Sequence, residues 1–207
     1  MAEEVRITLE KYGEAEFTEK KSVFYGYASP VNSEEEAIEF INTIKKKHGD
    51  ARHNVYAYMV GSNIARYSDA GEPQGTAGIP VLDVIRKSGF TDAVIVVARY
   101  FGGILLGAGG LVRAYSTAAK MAVDEAKIVT YSTYRQFDLV LNYTDHGKIT
   151  TLLSTANPIN DGIDYAENVK LSLALPIDKF DDFKEKVLET TAGRAVFVDN
   201  GTRFDKQ

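Results

Sequence analysis

Two glycine-rich segments, each followed at once by a helical pattern, constrain the fold of this chain most. The first reads DAGEPQGTAG over residues 69–78, and the second reads RYFGGILLGAGG over residues 99–110. Glycine at this density costs backbone entropy on folding, so it indicates tight turns or the close approach of a bound group. A helix N-terminus presents unpaired N–H groups and the positive end of the helix dipole, which both attract anions. The two junctions therefore predict an anion-binding region.

The pattern around these segments predicts a ββαββαβα order for a first domain. Ser33 precedes three glutamates and a later run of three lysines, which suits the two ends of a helix dipole. Residues 93–98 are apolar on both faces, as in a central strand. The other predicted elements are strands at 14–20, 22–28, 54–60 and 64–68, and helices from Ser33 to Gly49, from 79 to a stop at Gly89, and from 111 to 126.

The carboxyl-terminal part has a βαββαβ rhythm. We expect strands at 135–143 and 194–200, a hairpin within 162–176, and two helices capped by Asp145 and Asp178. This order builds a four-stranded antiparallel sheet with two helices on one face, the ferredoxin-like arrangement. The fold class is therefore α+β, with domains at residues 1–130 and 134–207 joined by a short segment.

Composition bounds the location and the partners of the protein. The chain has 207 residues with 44% hydrophobic and 26% charged side chains, as in ordinary globular proteins. It has no apolar run of about 20 residues, no signal-peptide pattern and no cysteine, so we expect a cytoplasmic protein without membrane or thiol chemistry. The net charge is -5, yet residues 51–120 hold seven Lys or Arg against four Asp or Glu. This local excess favours a local anion site over a general coat of basic charge.

The second glycine-rich segment is the stronger candidate for binding phosphate. Its amides form a flexible path into a helix, although it has neither the GxxxxGK[ST] nor the GxGxxG order. Arg99 and Tyr100 add a charge and a stacking surface at the end of a strand. In the alternative, Arg99 pairs with a nearby acid and the rings pack inward. The candidate anion- or RNA-binding residues are Arg66, Thr76, Gly78, Arg99, Tyr100, Gly102, Gly103, Gly107, Gly109, Gly110 and Arg113.

Catalytic candidates are few. Asp69 and Glu72 could act as base and acid or hold magnesium. In the alternative, Asp69 orders a turn and Glu72 reaches a backbone N–H or an arginine such as Arg99. His53 is the one histidine placed beside the glycine-rich segments. Because the histidines are scattered and cysteine is absent, we expect neither a metal site nor a cofactor.

Three stretches carry a resemblance to a known family: ARHNVYAYMVG, YSDAGEPQGTAGIPVLDVI and VIVVARYFGGILLGAGGLVRAYSTA. They resemble the IMPACT family, also called the YigZ-like proteins, in its bacterial two-domain form. The resemblance implies a first domain similar to the second domain of ribosomal protein S5 and to domain IV of elongation factor G. It implies a second domain similar to domain V of that factor. Contact with RNA or the ribosome, control of translation and no established enzymatic activity follow as expectations.

The chain also departs from its relatives. Where many relatives carry a cysteine after the residue that matches His53, this chain has Val55, so thiol chemistry at that position cannot be shared. Eukaryotic members have an additional amino-terminal domain and restrain activation of an initiation-factor kinase. That partner interaction is not transferred to this chain.

Three functions stay open at this point. The first is an RNA- or ribosome-binding modulator of translation that acts without catalysis, with a translation factor or regulatory protein as a further partner. The second is a small-molecule phosphotransferase or hydrolase that uses the glycine-rich segments for phosphate, with Asp69 and Glu72 as acid, base or magnesium ligands. The third is a protein-interaction module in which the two segments are only tight turns.

Overall fold

A computed structural model describes residues 5–206, which form two compact units. The first unit spans residues 6–130, and the second contains the described residues from 131 onward together with Val5. The elements in chain order are β1 (Val5–Leu9), β2 (Gly13–Glu19), β3 (Ser22–Pro30), α1 (Glu34–Lys47), β4 (His53–Val60), β5 (Ile64–Ser68), α2 (Gly78–Ser88), β6 (Ala93–Tyr100), α3 (Gly107–Ala126), β7 (Ile128–Leu141), α4 (Tyr143–Ala156), β8 (Ile159–Tyr165), β9 (Val169–Pro176), α5 (Ile177–Thr190) and β10 (Val196–Lys206).

The first unit is built on an antiparallel sheet with the order β2-β3-β6-β4-β5. Its central strand β6 is buried throughout except for Tyr100, as its apolar sequence predicts. Val94 and Val96 pack with the buried stripe of α1, whereas Ile95 and Val97 pack in the core that contains α2 and α3. The sheet therefore has one helix on one face and two on the other.

Close packing fixes where α3 lies on the sheet. A Cβ added to Gly13 would lie 2.4 Å from the carbonyl oxygen of Ala122, and one added to Gly26 would lie 2.4 Å from that of Ala118. These glycines let the helix backbone approach β2 and β3 directly. This face also includes Phe24 and Tyr115, whose rings meet edge to face at 5.2 Å. The amino-terminal end of α3 is thereby held beside the end of β6.

Two helix ends of the first unit lie where the sequence predicts them, and three other features of its helices differ from the prediction. Ser33 caps α1, and Gly89 ends α2 in the left-handed region with φ of 73°. His48, rather than Gly49, is the carboxyl-terminal cap of α1. The apolar spacing of α1 predicts that Ala37, Ile38, Ile41 and Ile44 form its buried stripe, but Ile38 is exposed because it lies off the stripe of the other three. Helix α3 begins four residues earlier than predicted, so the last glycines of the second segment are helical.

The second unit has the predicted βαββαβ order, and its sheet runs β10-β7-β9-β8 with antiparallel neighbours. Residues 128–133, expected to be a short connection, belong to the long strand β7. Asn142 caps α4 in place of Asp145, and its side chain accepts a hydrogen bond from the Asp145 N–H at 2.7 Å. Helix α5 follows Pro176 without a side-chain cap, and Asp178 lies in its first turn.

No helix in the part of the chain that the structure describes is long and apolar enough to cross a membrane.

Candidate functional site

Asp69 occupies the amino-terminal end of α2. Its Oδ1 accepts hydrogen bonds from the N–H groups of Ala77 at 3.1 Å and Gly78 at 2.8 Å, and its Oδ2 accepts one from Gly75 at 2.9 Å. These are the amides that an external anion would need. The anion at this helix end is the chain's own carboxylate, which agrees with the alternative in which Asp69 orders a turn.

Thr76 and Gly78 also make contacts within the first unit. The Thr76 hydroxyl donates to the Pro73 carbonyl at 2.6 Å, and it does not cap α2. A Cβ on Gly78 would lie 2.8 Å from the carbonyl carbon of Ser68, so this glycine permits close packing of α2 against β5. The structure therefore places the first segment's candidates in internal contacts.

Glu72, Arg99, Tyr115 and His53 form a buried polar cluster under the second segment. Arg99 donates from Nη1 to Glu72 Oε1 at 2.5 Å, and Tyr115 donates from its hydroxyl to the same oxygen at 2.8 Å. The side chains of Arg99 and Glu72 are only 6% and 4% exposed. Burial, followed by the nearby Glu72 carboxylate, raises the pKa of Tyr115. Arg99 thus has the acidic partner foreseen in the alternative interpretation.

The hydrogen bonds of Arg99 are incomplete. Its Nη2 lies 3.4 Å from Ser22 Oγ, and its buried Nε–H has no acceptor among residues 5–206. The guanidinium lies 5.5 Å from the Phe24 ring and 5.6 Å from the Phe101 ring. Arg99 is therefore a buried, under-satisfied cation and not a surface side chain.

His53 has one ring nitrogen engaged. Its Nδ1 lies 2.9 Å from the Ala70 carbonyl oxygen. Because a carbonyl oxygen can only accept, Nδ1 carries the proton and Nε2 is left as an acceptor in the neutral ring. Nε2 lies 3.8 Å from Glu72 Oε1, too far for a hydrogen bond.

A cavity of about 410 Å³ lies between this cluster and the start of α3. Helix α3 has neither a side-chain cap nor an acidic residue in its first turn, so its first amides have no anionic partner from their own turn. The cavity is lined by Arg52, His53, Gly71, Glu72, Pro73, Arg99, Phe101, Leu105, Leu106, Gly107, Ala108 and Leu111.

The glycines of the second segment have different structural roles. Gly102 packs against the β2–β3 turn, where an added Cβ would lie 2.0 Å from the carbonyl carbon of Lys21. Gly103 and Gly107 have φ of 82° and 70°, a region that favours glycine. Gly109 and Gly110 lie in the first turn of α3. The loop is thus ordered by its glycines and leaves the helix end free of large side chains.

Four exposed cations lie near the start of α3. Arg52, Lys20 and Arg113 line cavities beside its first turn, and Lys21 lies in the β2–β3 turn against which Gly102 packs. None of their side chains has a hydrogen bond or ion pair within the described residues. Arg52 lines the cavity beside Gly107. Lys20 and Arg113 line a smaller cavity of about 230 Å³, together with Gly110 and Glu19. We call these four residues the basic rim.

Two candidates lie elsewhere. Arg66 is directly opposite Tyr58 in the sheet and 3.8 Å from Glu34 at the start of α1, so it lies on the α1 face. Tyr100 lies on that face too, where its hydroxyl donates to Asp50 Oδ1 at 2.7 Å. That bond is the main reason that the pKa of Tyr100 is raised to about 12. The structure does not bring either residue to the cavity.

Sequence reasoning missed Arg52, Tyr115, Lys20 and Lys21 as neighbours of the site. Only Arg52 had a local signal, since it directly precedes His53 at the start of a strand. Among residues 5–206 there is no group of three or more His, Asp or Glu side chains that could hold a metal ion.

Comparisons with known proteins give a consistent result. The Impact N-terminal domain family matches residues 20–123, and a domain of unknown function, DUF1949, matches residues 139–194. The IMPACT family member YvyE of Bacillus subtilis (strain 168) is 40% identical over 190 residues, which cover 91% of this chain and 88% of that protein. The IMPACT family member YigZ of Escherichia coli (strain K12) is 34% identical over 178 residues, or 84% and 87% of the two chains.

A solved structure also matches over most of its length. It is described as the crystal structure of a hypothetical protein and is 31% identical, with a TM-score of 0.60. The match covers 94% of this chain and 97% of the other. The sequence stretches noted above, both domain matches and these relatives agree, and the chain belongs to the IMPACT family.

Proposed function

We propose that this protein binds structured RNA, most plainly on the ribosome, and modulates translation without catalysis. The observation that carries the proposal is the open end of α3: a helix of 20 residues begins without a cap, beside four cations that have no partner within the described part of the chain. Unpaired amides, the helix dipole and the basic rim all favour phosphate at the same place. We place this function in the cytoplasm and in a chain of two domains, 1–130 and 134–207.

Exposed apolar side chains beside the basic rim suit RNA better than a free small anion. Phe101 is 44% exposed and Leu105 is 83% exposed. Proteins that bind single-stranded nucleic acid combine cations along the backbone with apolar or aromatic surfaces for the bases. The net charge of -5 then limits binding to this patch, because the rest of the chain repels nucleic acid.

The expected likeness of the first domain to the second domain of ribosomal protein S5 and domain IV of elongation factor G supports the same function. So does the expected likeness of the ferredoxin-like second domain to domain V of that factor. Fold analogy is a weaker argument than the open helix end, because one fold carries many functions. A translation factor or regulatory protein on the ribosome is the further partner that we propose.

The second candidate function is a small-molecule phosphotransferase or hydrolase. The cavity favours it, because His53 and Glu72 line a space of about 410 Å³ next to a helix end. However, Asp69 already accepts three backbone hydrogen bonds, and Glu72 is tied to Arg99 and Tyr115. Both oxygens of Asp69 are engaged, and Oε1 of Glu72 is shared by two donors, which disfavours either residue as the base or magnesium ligand that this function needs.

Co-sedimentation with ribosomes across a salt series tests the proposal. The test variant is Arg52→Gln with Arg113→Gln, and the control is Arg86→Gln with Lys87→Gln near the far end of α2. The wild-type protein and the control should associate in a salt-sensitive manner. The test variant should bind more weakly, with a slope of log affinity against log salt that is less steep by about 1.4–1.8, the value for two lost phosphate contacts.

Two results would reject the proposal. One is the absence of association at low salt for the wild-type protein. The other is an equal loss of binding in both double variants, which would mean that only the total charge matters and that the start of α3 is not the site.

A further inference from the structure

The cavity beside α3 has one polar end and one apolar side. The first-turn residues Gly107 and Ala108 lie at the polar end, and Arg52 lines the same space. Phe101 and Leu105 contribute apolar surface that the cores of the unit do not use. Ligand sites typically join an apolar body to a few polar groups in a space of about 300–1,000 Å³. A cavity of about 410 Å³ falls in this range.

A buried cation is the second observation that points to a ligand. Arg99 lines the cavity, is 5% exposed, and has an Nε–H without an acceptor among the described residues. Its contact with Ser22 is 3.4 Å long. Buried polar groups in proteins are nearly always hydrogen-bonded, so the incomplete hydrogen bonding of this guanidinium favours a polar group beside the small part of Arg99 that is exposed. The Nε atom itself has no accessible surface and is not reached from the cavity. Since Glu72 balances the charge of Arg99, Arg52 and the helix end supply the positive excess.

The amino-terminal ends of α2 and α3 differ in whether an anion of the chain occupies them. Asp69 fills the end of α2, whereas α3 has no carboxylate in its first turn and no residue larger than alanine from Gly107 to Gly110. An anionic group can therefore approach the α3 amides closely.

We infer that this cavity holds one unpaired nucleotide of the bound RNA, with its phosphate at the first turn of α3 and its base against Phe101 and Leu105. This inference rests on the proposed function and adds the form of RNA that the protein recognises. A nucleotide has both an anionic phosphate, which suits the helix end, and a flat base, which suits the apolar side chains, and its size fits the volume of the cavity. A base inside a duplex cannot enter, so the protein should prefer RNA with unpaired residues.

A single tryptophan can report on the cavity. The chain has no tryptophan, and Leu105 is 83% exposed, so Leu105→Trp adds one fluorophore at little risk to folding. The probes are the octanucleotide r(A)8, a blunt 12-base-pair RNA duplex and adenosine 5′-monophosphate. We expect r(A)8 to quench the fluorescence by at least half in a saturable manner, since a base stacks on the indole. The duplex should not quench, and the monophosphate should need at least tenfold higher concentration.

Each other result overturns the inference. Equal half-saturation by r(A)8 and the monophosphate would make the cavity a site for a free nucleotide. Quenching by the duplex at equal strength would remove the need for an unpaired base. Absence of quenching by r(A)8 would reject the nucleotide site, and the ribosome experiment would decide separately whether the proposed function survives.

A second variant tests the phosphate end with Leu105 intact. Ala108→Glu places a carboxylate in the exposed first turn of α3, where it favours the helix and competes with an incoming anion. Met121→Glu adds the same charge about 20 Å along the same helix and is the control. With fluorescein-labelled r(A)8 and anisotropy, Ala108→Glu should weaken binding about fivefold more than the control. Equal affinities of the two variants would contradict a phosphate site at this helix end.

Discussion

Replacing Arg99 with alanine should destabilise the first unit severely. The side chains of Arg99 and Glu72 are 6% and 4% exposed, and their atoms Nη1 and Oε1 lie 2.5 Å apart. Removal of the guanidinium leaves a buried carboxylate with the Tyr115 hydroxyl at 2.8 Å as its one hydrogen-bond donor among the described residues. Breaking such a pair costs about 3–5 kcal/mol, because the remaining charge stays in a low-dielectric interior.

This loss is large compared with the stability of a domain, which is roughly 5–15 kcal/mol. For a unit of this size it corresponds to a fall of about 10–20 °C in the unfolding midpoint. Thermal and urea unfolding, followed by near-UV and far-UV circular dichroism, would measure it. The matched control is Glu72→Gln with Arg99→Met, which removes both charges and should recover most of the loss.

A small effect would refute this reasoning. If Arg99→Ala lowers the free energy of unfolding by less than about 1 kcal/mol, the pair behaves as a surface ion pair does. Glu72 would then have access to water, and Arg99 would have to be considered again as a cation that is free to meet phosphate.

Three further predictions concern other parts of the chain. Gly102→Ala should cost about 1–3 kcal/mol and lower the thermal midpoint, because the new Cβ would meet the Lys21 backbone at 2.0 Å; an unchanged midpoint would contradict that contact. Asp69→Ala should cost about 1–2 kcal/mol in urea unfolding, since three amides lose their acceptor, and a neutral result would mean that water replaces it. The Arg194 guanidinium holds the pKa of Asp145 well below its usual range, so the stabilisation from this pair is present above about pH 4 and is lost as the pH falls further. Asp145→Asn should therefore reduce the fall of the urea midpoint at acidic pH. An unaltered fall would exclude this pair as its cause.

Helix ends were predictable where the signal is local. Ser33 and Gly89 act through their own side chain or backbone angle, so residue type alone identified them. The start of α3 was missed because glycine is a poor helix former, and the packing of α3 on β2 and β3 overrides that preference. Asn142 and Asp145 are both good capping residues. In the structure Asn142 caps α4, and Asp145 pairs with Arg194, 49 residues away.

The site was predictable only in part, because several of its contacts join residues that lie far apart in the sequence. The pairing of Glu72 with Arg99, 27 residues away, is one of the alternatives that the sequence offers. The hydrogen bond from Tyr115, 43 residues from Glu72, has no local signal. The separation of Arg99 from Tyr100, in contrast, follows from the strand itself, because successive side chains point to opposite faces. The alternation along β6 therefore places these two neighbours on different faces of the sheet.

The carboxylate of Asp69 also determines how readily the first glycine-rich segment opens locally. Its composition is that of a mobile loop, the kind that proteases cut first. Yet Asp69 ties residues 75–78 to the end of β5, so the segment cannot extend into a protease without release of the first turn of α2. The amides of Gly75, Ala77 and Gly78 should exchange with solvent deuterium as slowly as those of a helix interior, and limited digestion should spare this segment until α2 opens.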